Sequence, residues 1–375
     1  MTLKIGIVGK PSSGKSTFLN AACLTDAQMA PYPFTTIKPN LGTAVVRAKC
    51  PCVDFKIKHC DGKRLVPVAM VDVAGLVPGA HEGRGMGNQF LSDLADADAL
   101  IHVVDYSGKM DAEGNPGKGD PEADIKFLED EIEQWIKGIL EKNWTALNRK
   151  VGVHTMKLSE AVHAQLSGLN MAEEEVSEAI KATGFEQSGD LLALAREIRR
   201  RSKPIIIAAN KMDDRQAQEN YARLKKGTPC CAEAELALRR AAEKGLIEYS
   251  PGDKDFKVLK PLAEPQAKAL EFIRKNVLEK LGGTGVQGVV DEAAYKLLDC
   301  IVAYPVEDEG KLSDRKGNVL PHAYLMPRGS TALDLAFKVH TDIGKGFIGA
   351  IDARTKKRVG KEYELKDGDV IRILV

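Results

Sequence analysis

Residues 9–16, Gly9-Lys10-Pro11-Ser12-Ser13-Gly14-Lys15-Ser16, fit the pattern G-x-x-x-x-G-K-[ST] without a mismatch. A loop of this kind lets backbone N–H groups turn inward around a polyphosphate, and a helix that begins at its end adds the positive pole of its dipole. The Lys15 ammonium would reach the outer phosphates, and the Ser16 hydroxyl would ligate Mg2+. Pro11, Ser12, Ser13, Gly14 and Thr17 complete the expected phosphate-binding segment.

Two further segments carry groups that such a site needs. Residues 30–40 are rich in proline and threonine and read as a loop, from which Thr36 is expected to complete the Mg2+ shell and sense the terminal phosphate, with Thr35 beside it. Asp72-Val73-Ala74-Gly75 closes a Val-rich strand. There the Asp72 carboxylate would hold the metal through a water, and the Gly75 N–H would meet the γ-phosphate. The residue after that glycine is Leu76, which can neither donate nor accept a hydrogen bond, so a water-orienting group must come from elsewhere. His81 and Arg84, in the glycine-rich stretch that follows, are the candidates, and that stretch is expected to be mobile until a nucleotide orders it.

The third segment chooses the base. Asn210-Lys211-Met212-Asp213 follows an apolar strand. Guanine presents N1–H and an exocyclic amine on one edge, and a carboxylate accepts from both, whereas adenine would leave the Asp213 charge unpaired. The Lys211 stem would lie over the purine, and Asn210 would tie this loop to the phosphate loop. Cys231 and Ala232 follow the last strand, where a backbone N–H could meet the base carbonyl oxygen.

These loops need strands to hold them. Apolar runs at residues 3–8, 42–47, 65–72, 98–105 and 203–209 supply them, and a helix is expected from Lys15 to Cys23. The resulting expectation is an α/β nucleotide domain, 1–120 and 202–285, with a doubly wound sheet. An all-helical insertion fills 121–201, opened by Asp120-Pro121-Glu122 as N-cap, first-turn proline and first-turn acid. Its apolar stripes should pack on one another. Gly282-Gly283-Thr284-Gly285 reads as a linker, 286–300 as a connecting helix, and 301–375 as a small mixed β domain with one helix near Thr331 to His340.

With 54 Lys+Arg against 53 Asp+Glu, the formal net charge is +1, which provides no global attraction to nucleic acid or acidic membrane. Only a local patch, Arg354-Thr355-Lys356-Lys357-Arg358, favours RNA by charge. No apolar run reaches membrane-spanning length, and the first strand follows Met1 almost directly, so a cytoplasmic protein, monomeric and without a membrane partner, is expected. Seven cysteines without a regular framework suit reduced thiols. Cys50, Cys52, His59 and Cys60 are near enough in sequence to hold Zn2+, but their spacing matches no standard pair of C-x-x-C knuckles, so the expectation there is free thiols.

The sequence resembles the Obg superfamily of GTPases, in particular its YchF-like branch. Residues 33–42 (Pro33-Phe34-Thr35-Thr36-Ile37-Lys38-Pro39-Asn40-Leu41-Gly42) and 75–91, from Gly75-Leu76-Val77-Pro78-Gly79 through Asn88-Gln89-Phe90-Leu91, are similar to that superfamily's two switch regions. Residues 328–336 and 366–371 are similar to a TGS domain, a β-grasp module. The resemblance implies a Mg2+-dependent protein that binds GTP and GDP, hydrolyses GTP slowly and works as a switch on ribosomes or RNA. Bacterial and animal members of the branch lack N-K-x-D and favour ATP, so Asn210, Lys211 and Asp213 place this chain with the GTP-preferring archaeal and fungal ones. Ser12 stands where many members carry an asparagine implicated in K+-assisted hydrolysis, a departure that leaves K+ activation an open question for this chain. Two rival functions share the phosphate loop: a phosphotransferase acting on a small acceptor, and a nucleotide-stabilised scaffold with negligible turnover.

Overall fold

The structure is a computed structural model that describes residues 3–23, 41–57, 60–73, 93–142, 144–153, 155–169, 171–186 and 189–375. The chain divides into two compact units, one of residues 4–42 and 70–289, the other of 1–3, 43–69 and 290–375.

The chain opens with β1 (Lys4–Val8), α1 (Lys15–Ala22), β2 (Leu41–Lys49), β3 (Lys63–Asp72) and β4 (Ala99–Asp105), of which β2 and β3 run mostly through residues 43–69 of the second unit. It continues through α2 (Pro121–Glu141), α3 (Trp144–Gly152), α4 (Leu158–Gln165), α5 (Glu173–Thr183) and α6 (Leu191–Ser202). The remaining elements are β5 (Ile205–Asn210), α7 (Arg215–Leu224), β6 (Thr228–Pro229) and α8 (Ala232–Glu243). The six-stranded sheet has the order β2-β3-β1-β4-β5-β6. β1 pairs parallel with β4 (Ile5↔Ala99), β4 with β5 (Leu100↔Ile205) and β5 with β6 (Ala208↔Thr228). All seven residues of β4 are buried, as expected of a parallel strand covered on both faces. Because the strand order reverses direction beside β1, the loops leaving the carboxyl ends of β1, β4 and β5 collect at one edge, where α/β sheets bind ligands.

Asp120 caps α2, its carboxylate accepting from the Glu122 N–H at 3.0 Å. Leu128, Ile132, Ile136 and Leu140 then line one face and share a core with Val162, Val176, Leu194 and Ile198 of the neighbouring helices and with Val8 and Leu100 of the sheet. Glu133 and Arg199 pair at 3.3 Å between α2 and α6 inside this core. Residues 215–224, to which the apolar pattern assigns nothing, form α7. Only Ala217 is buried there, so its stripe is too thin to register as periodicity, although Asp214 caps it through the Gln216 N–H at 2.8 Å.

After a short hairpin of β7 (Ile247–Glu248) and β8 (Lys257–Val258), α9 (Glu264–Ile273) continues through a π-helical turn, Arg274–Leu278, to a left-handed Gly282. Residues 282–285 are not a free linker. Thr284 is 1% exposed, its carbonyl accepts from the Cys231 N–H at 2.8 Å, and its hydroxyl donates to Glu235. A Cβ at Gly285 would collide with the Pro229 carbonyl, so the glycines here permit close packing rather than freedom.

The second unit joins the outer part of the β2–β3 hairpin to the C-terminal residues. α10 (Val286–Glu292) leads through a π-helical turn, Ala293–Leu297, to a sheet of β9 (Cys300–Val306), β10 (Tyr324–Pro327), β11 (Gly349–Asp352), β12 (Arg358–Val359) and β13 (Val370–Leu374), ordered β10-β9-β13-β11-β12. β9 and β13 are parallel, and the other pairs are antiparallel. α11 (Ala332–Val339) covers the sheet and is fixed by a reciprocal cap, Thr331 Oγ1 accepting from the Asp334 N–H at 3.3 Å while Asp334 accepts from the Thr331 N–H at 2.7 Å. The hairpin is held by Arg47 Nε donating to Asp291 at 2.8 Å and Tyr304 OH donating to the Lys49 carbonyl at 3.1 Å.

At the tip of this hairpin Cys50, Cys52 and Cys60 bring their sulfurs within 4.8 Å of one another, whereas His59 lies outside the described residues. Cys52 lies within the single 3-10 turn Pro51–Val53, so the spacing of the three thiols does not follow a C-x-x-C knuckle although their sulfurs converge.

Candidate functional site

Gly9 leaves β1 with φ 150°, and a side chain there would strike the Val103 carbonyl of β4. Ser12 at φ 60° and Gly14 at φ 98° reverse the chain, so that Gly14 caps α1 and leaves its first N–H groups pointing into the loop. Lys15, in the first turn, donates to the Lys10 carbonyl at 2.9 Å, closing the loop on itself. Burial pulls its pKa down, and the Asp72 carboxylate opposes that pull. For Asp72, burial raises the pKa while the Lys15 charge lowers it.

Asp72 Oδ1 is buried without a hydrogen-bond partner, and so is Ser13 Oγ. Orphaned buried polar atoms are costly, and one in the phosphate loop and one on the carboxylate that interacts with Lys15 are what a phosphate and its cation would satisfy. The Ser16 hydroxyl is exposed in the first turn of the same helix. The oxygen donors Ser16 and Asp72 therefore fit Mg2+.

The loop after β5 meets this one directly. Asn210 is 3% exposed, and its Nδ2 donates to the Ser13 carbonyl at 3.0 Å while its Oδ1 accepts from the Ala232 N–H at 3.0 Å. One amide thus ties three loops. Lys211 sits in the left-handed region at φ 66° and sends Nζ to the Ser12 carbonyl at 3.0 Å and to Asp105 at 2.9 Å. Asp105 is fully buried at the end of β4 and also accepts from the Ser107 hydroxyl at 2.6 Å. Met212 anchors the turn from below, 2% exposed, its N–H donating to the Cys230 carbonyl at 3.2 Å.

Asp213 faces a cleft of about 300 Å3 whose walls include Gly14, Thr17, Lys211, Cys231 and Glu233. Its carboxylate accepts from the Cys231 thiol at 3.2 Å. Burial first, and then the neighbouring Asp213 charge, push the Cys231 thiol up to about 12, so it stays a donor. The backbone N–H groups of this loop, from which a contact to a base carbonyl is expected, have partners within the chain. The Cys231 N–H is spent on Thr284 and the Ala232 N–H on Asn210, so in this arrangement Cys231 offers the cleft its side chain.

Sequence patterning missed the contribution of residues 107–119, which it treats only as a break. Ser12 Oγ donates to the Gly114 carbonyl at 2.9 Å, and Lys10 Nζ donates to the Met110 carbonyl at 2.9 Å and pairs with Asp124 at 2.6 Å. Lys109 pairs with Asp214 along the rim of the cleft that Asp213 faces. The signal available was Lys10 itself, a charged residue inside a glycine loop that has to find a partner when buried. Thr35, Thr36, Gly75, His81 and Arg84 lie outside the described residues.

Comparison with known proteins agrees along the whole chain. Residues 4–149 match the family model described as a 50S ribosome-binding GTPase, 208–308 that of an Obg-like GTPase, YGR210-like, G4 motif-containing domain, and 310–375 that of a TGS domain. An uncharacterized GTP-binding protein of Methanocaldococcus jannaschii is 50% identical over 99% of this chain and 98% of its own. The ribosome-binding ATPase YchF of Bacillus subtilis is 29% identical over 99% and 98%. The crystal structure of a GTP-binding protein from Pyrococcus horikoshii superimposes with a TM-score of 0.74 at 42% identity, covering 99% of each chain. A P-loop leading into a helix, an Asn-Lys-x-Asp turn bonded to it and a C-terminal TGS module thus stand in one chain, which belongs to the Obg-like GTPases, in their YchF branch, and is a GTP-hydrolysing enzyme.

Proposed function

We propose that this GTPase is a slow, Mg2+-dependent molecular switch that acts on the ribosome and prefers GTP to ATP. The observation that carries the reading is Asp213 in the base cleft, placed there by a turn that Asn210 and Lys211 lock onto the phosphate loop. A carboxylate accepts from both donors of the guanine edge, and adenine offers it only one donor beside an unprotonated nitrogen.

In this reading the α1 N–H groups and Lys15 hold the phosphates and absorb the charge that grows on the leaving diphosphate. Ser16 and Asp72 would hold Mg2+, which when bound supplies further neutralisation of that charge. The slow rate follows from Leu76, which stands where a water-orienting glutamine would be needed. Ribosome association rests on family membership and on the name of the Bacillus subtilis relative, a ribosome-binding ATPase. The basic patch at 354–358 adds little, since Arg354 pairs with Asp54 at 3.2 Å and Lys356 donates to the Glu309 carbonyl.

The test is to titrate the full chain with GTP and ATP in the presence and absence of Mg2+, then to measure turnover with and without purified ribosomes. A GTP preference of about a hundredfold, the worth of one charge-assisted pair left unmade, together with stimulation by ribosomes, is expected. Equal affinity for both triphosphates would overturn the base assignment, and turnover indifferent to ribosomes would overturn the switch.

A further inference from the structure

The hairpin tip holds a cluster of groups that nucleotide chemistry does not use. Cys50 and Cys52 are 0% and 1% exposed, Cys60 is exposed, and the three Sγ atoms lie within 4.8 Å of one another. Cys52 and Cys60 are 3.5 Å apart. That separation is far beyond a disulfide, whose sulfurs sit about 2.05 Å apart. It is close to the spacing of about 3.8 Å that two thiolates take on a tetrahedral ion with Zn–S bonds of about 2.3 Å.

The backbone is arranged to keep the thiols there. Pro51 starts a 3-10 turn between the first two cysteines, the Cys50 N–H donates to the Gly62 carbonyl at 2.9 Å, and the Ile57 N–H donates to the Cys52 carbonyl at 2.9 Å. The Cys50–Gly62 bond closes the base of the loop, and the Ile57–Cys52 bond ties the turn within it. The two inner sulfurs face the cluster from a dry side, and the exposed Cys60 marks the side from which an ion would enter.

We propose that Cys50, Cys52 and Cys60 form a binding site for a soft divalent cation of the Zn2+ class, with the three thiolates as its ligands among the described residues. Its role is to staple the turn of the β2–β3 hairpin in the second compact unit. Three thiolates select a borderline-soft ion over Mg2+, which prefers oxygen, so this site and the nucleotide's cation do not compete. Binding releases the thiol protons to solvent, and no electron is transferred.

The experiment uses the full chain, reduced, nucleotide-free and stripped of metal, titrated with Co2+ as a spectroscopic stand-in for Zn2+. A thiolate-to-cobalt charge-transfer band and the visible bands of tetrahedral cobalt should grow to one equivalent and be displaced by Zn2+. Cys60→Ser, which changes an exposed side chain, should abolish or sharply weaken these bands, while Cys300→Ser, outside the cluster, should leave them unchanged. The phosphate loop has no sulfur ligand and cannot produce the charge-transfer band. Absence of that band in the reduced wild-type chain, or its persistence in Cys60→Ser, would overturn the proposal. As a second readout, Zn2+ should raise the melting temperature of the wild type and leave that of Cys60→Ser in place; an equal rise in both would also overturn it.

Discussion

The amide of Asn210 donates to the carbonyl of Ser13 at 3.0 Å, although 197 positions separate them. The same side chain accepts from Ala232 on a third loop, so in the proposed site the base-binding and phosphate-binding loops depend on one buried group. Removing it strands a carbonyl and an N–H in a site with little water, each costing about 1–3 kcal/mol. Asn210→Ala should therefore destabilise the chain by a few kcal/mol and weaken GTP binding by at least about tenfold. Urea unfolding and calorimetric titration check the two effects. GTP affinity equal to wild type would show that the tie does not position the site.

Much of this arrangement is legible in the sequence because its parts are local. The strand-loop-helix context of residues 4–22 follows from apolar runs and glycines, and the cap at Asp120 from three consecutive residues. Tertiary closure is not legible in this way. Lys10, Asp105 and Lys211 are joined to partners by loops that carry no periodicity, α7 buries only one residue, and Thr284 looks like part of a flexible linker until its carbonyl meets Cys231. The cysteines at 50, 52 and 60 are legible as a group in the sequence, but that their sulfurs converge is not, since a hairpin fixes spatial spacing that sequence spacing does not report.

Asp213 tests the base. Asn in its place keeps an oxygen acceptor for N1–H but presents an amide donor to the exocyclic amine, two donors facing each other. Asp213→Asn should lower GTP affinity by about a hundredfold, the loss expected for a charge-assisted hydrogen bond replaced by a repulsive one. Xanthosine triphosphate, which has a carbonyl where guanine has the amine, should bind the variant better than the wild type. Competition binding with both nucleotides measures the exchange, and a variant that keeps its GTP preference would remove Asp213 from the base.

Lys15 and Asp72 influence each other, each opposing the pKa shift that burial imposes on the other. Lys15→Ala should cost hydrolysis at least about a hundredfold in single turnover, the scale on which removal of one oriented donor acts. Asp72→Asn instead should raise the Mg2+ concentration needed for half-maximal turnover, with a smaller loss at saturating Mg2+. Single-turnover assays across a Mg2+ series separate the two, and an unchanged Mg2+ requirement in Asp72→Asn would exclude that carboxylate from the metal.

His102 lies in β4, 3% exposed, with Nδ1 buried and unpartnered. Burial, helped by the nearby Lys15 charge, pushes its pKa from 6.5 to about 3. The folded chain thus keeps the imidazole neutral where the unfolded chain would protonate it. Its contribution to stability is complete above pH 6.5 and is lost as the pH falls from 6.5 toward 3, below which both states carry the proton. In that window each pH unit should cost up to about 1.4 kcal/mol from this group alone. His102→Leu fills a similar volume, leaves no polar atom unpaired and removes the titration. Urea unfolding from pH 7 to pH 4 should therefore give a visibly flatter stability curve for His102→Leu than for the wild type. Parallel curves would mean that the imidazole is reached by solvent or finds a proton partner when the pH drops.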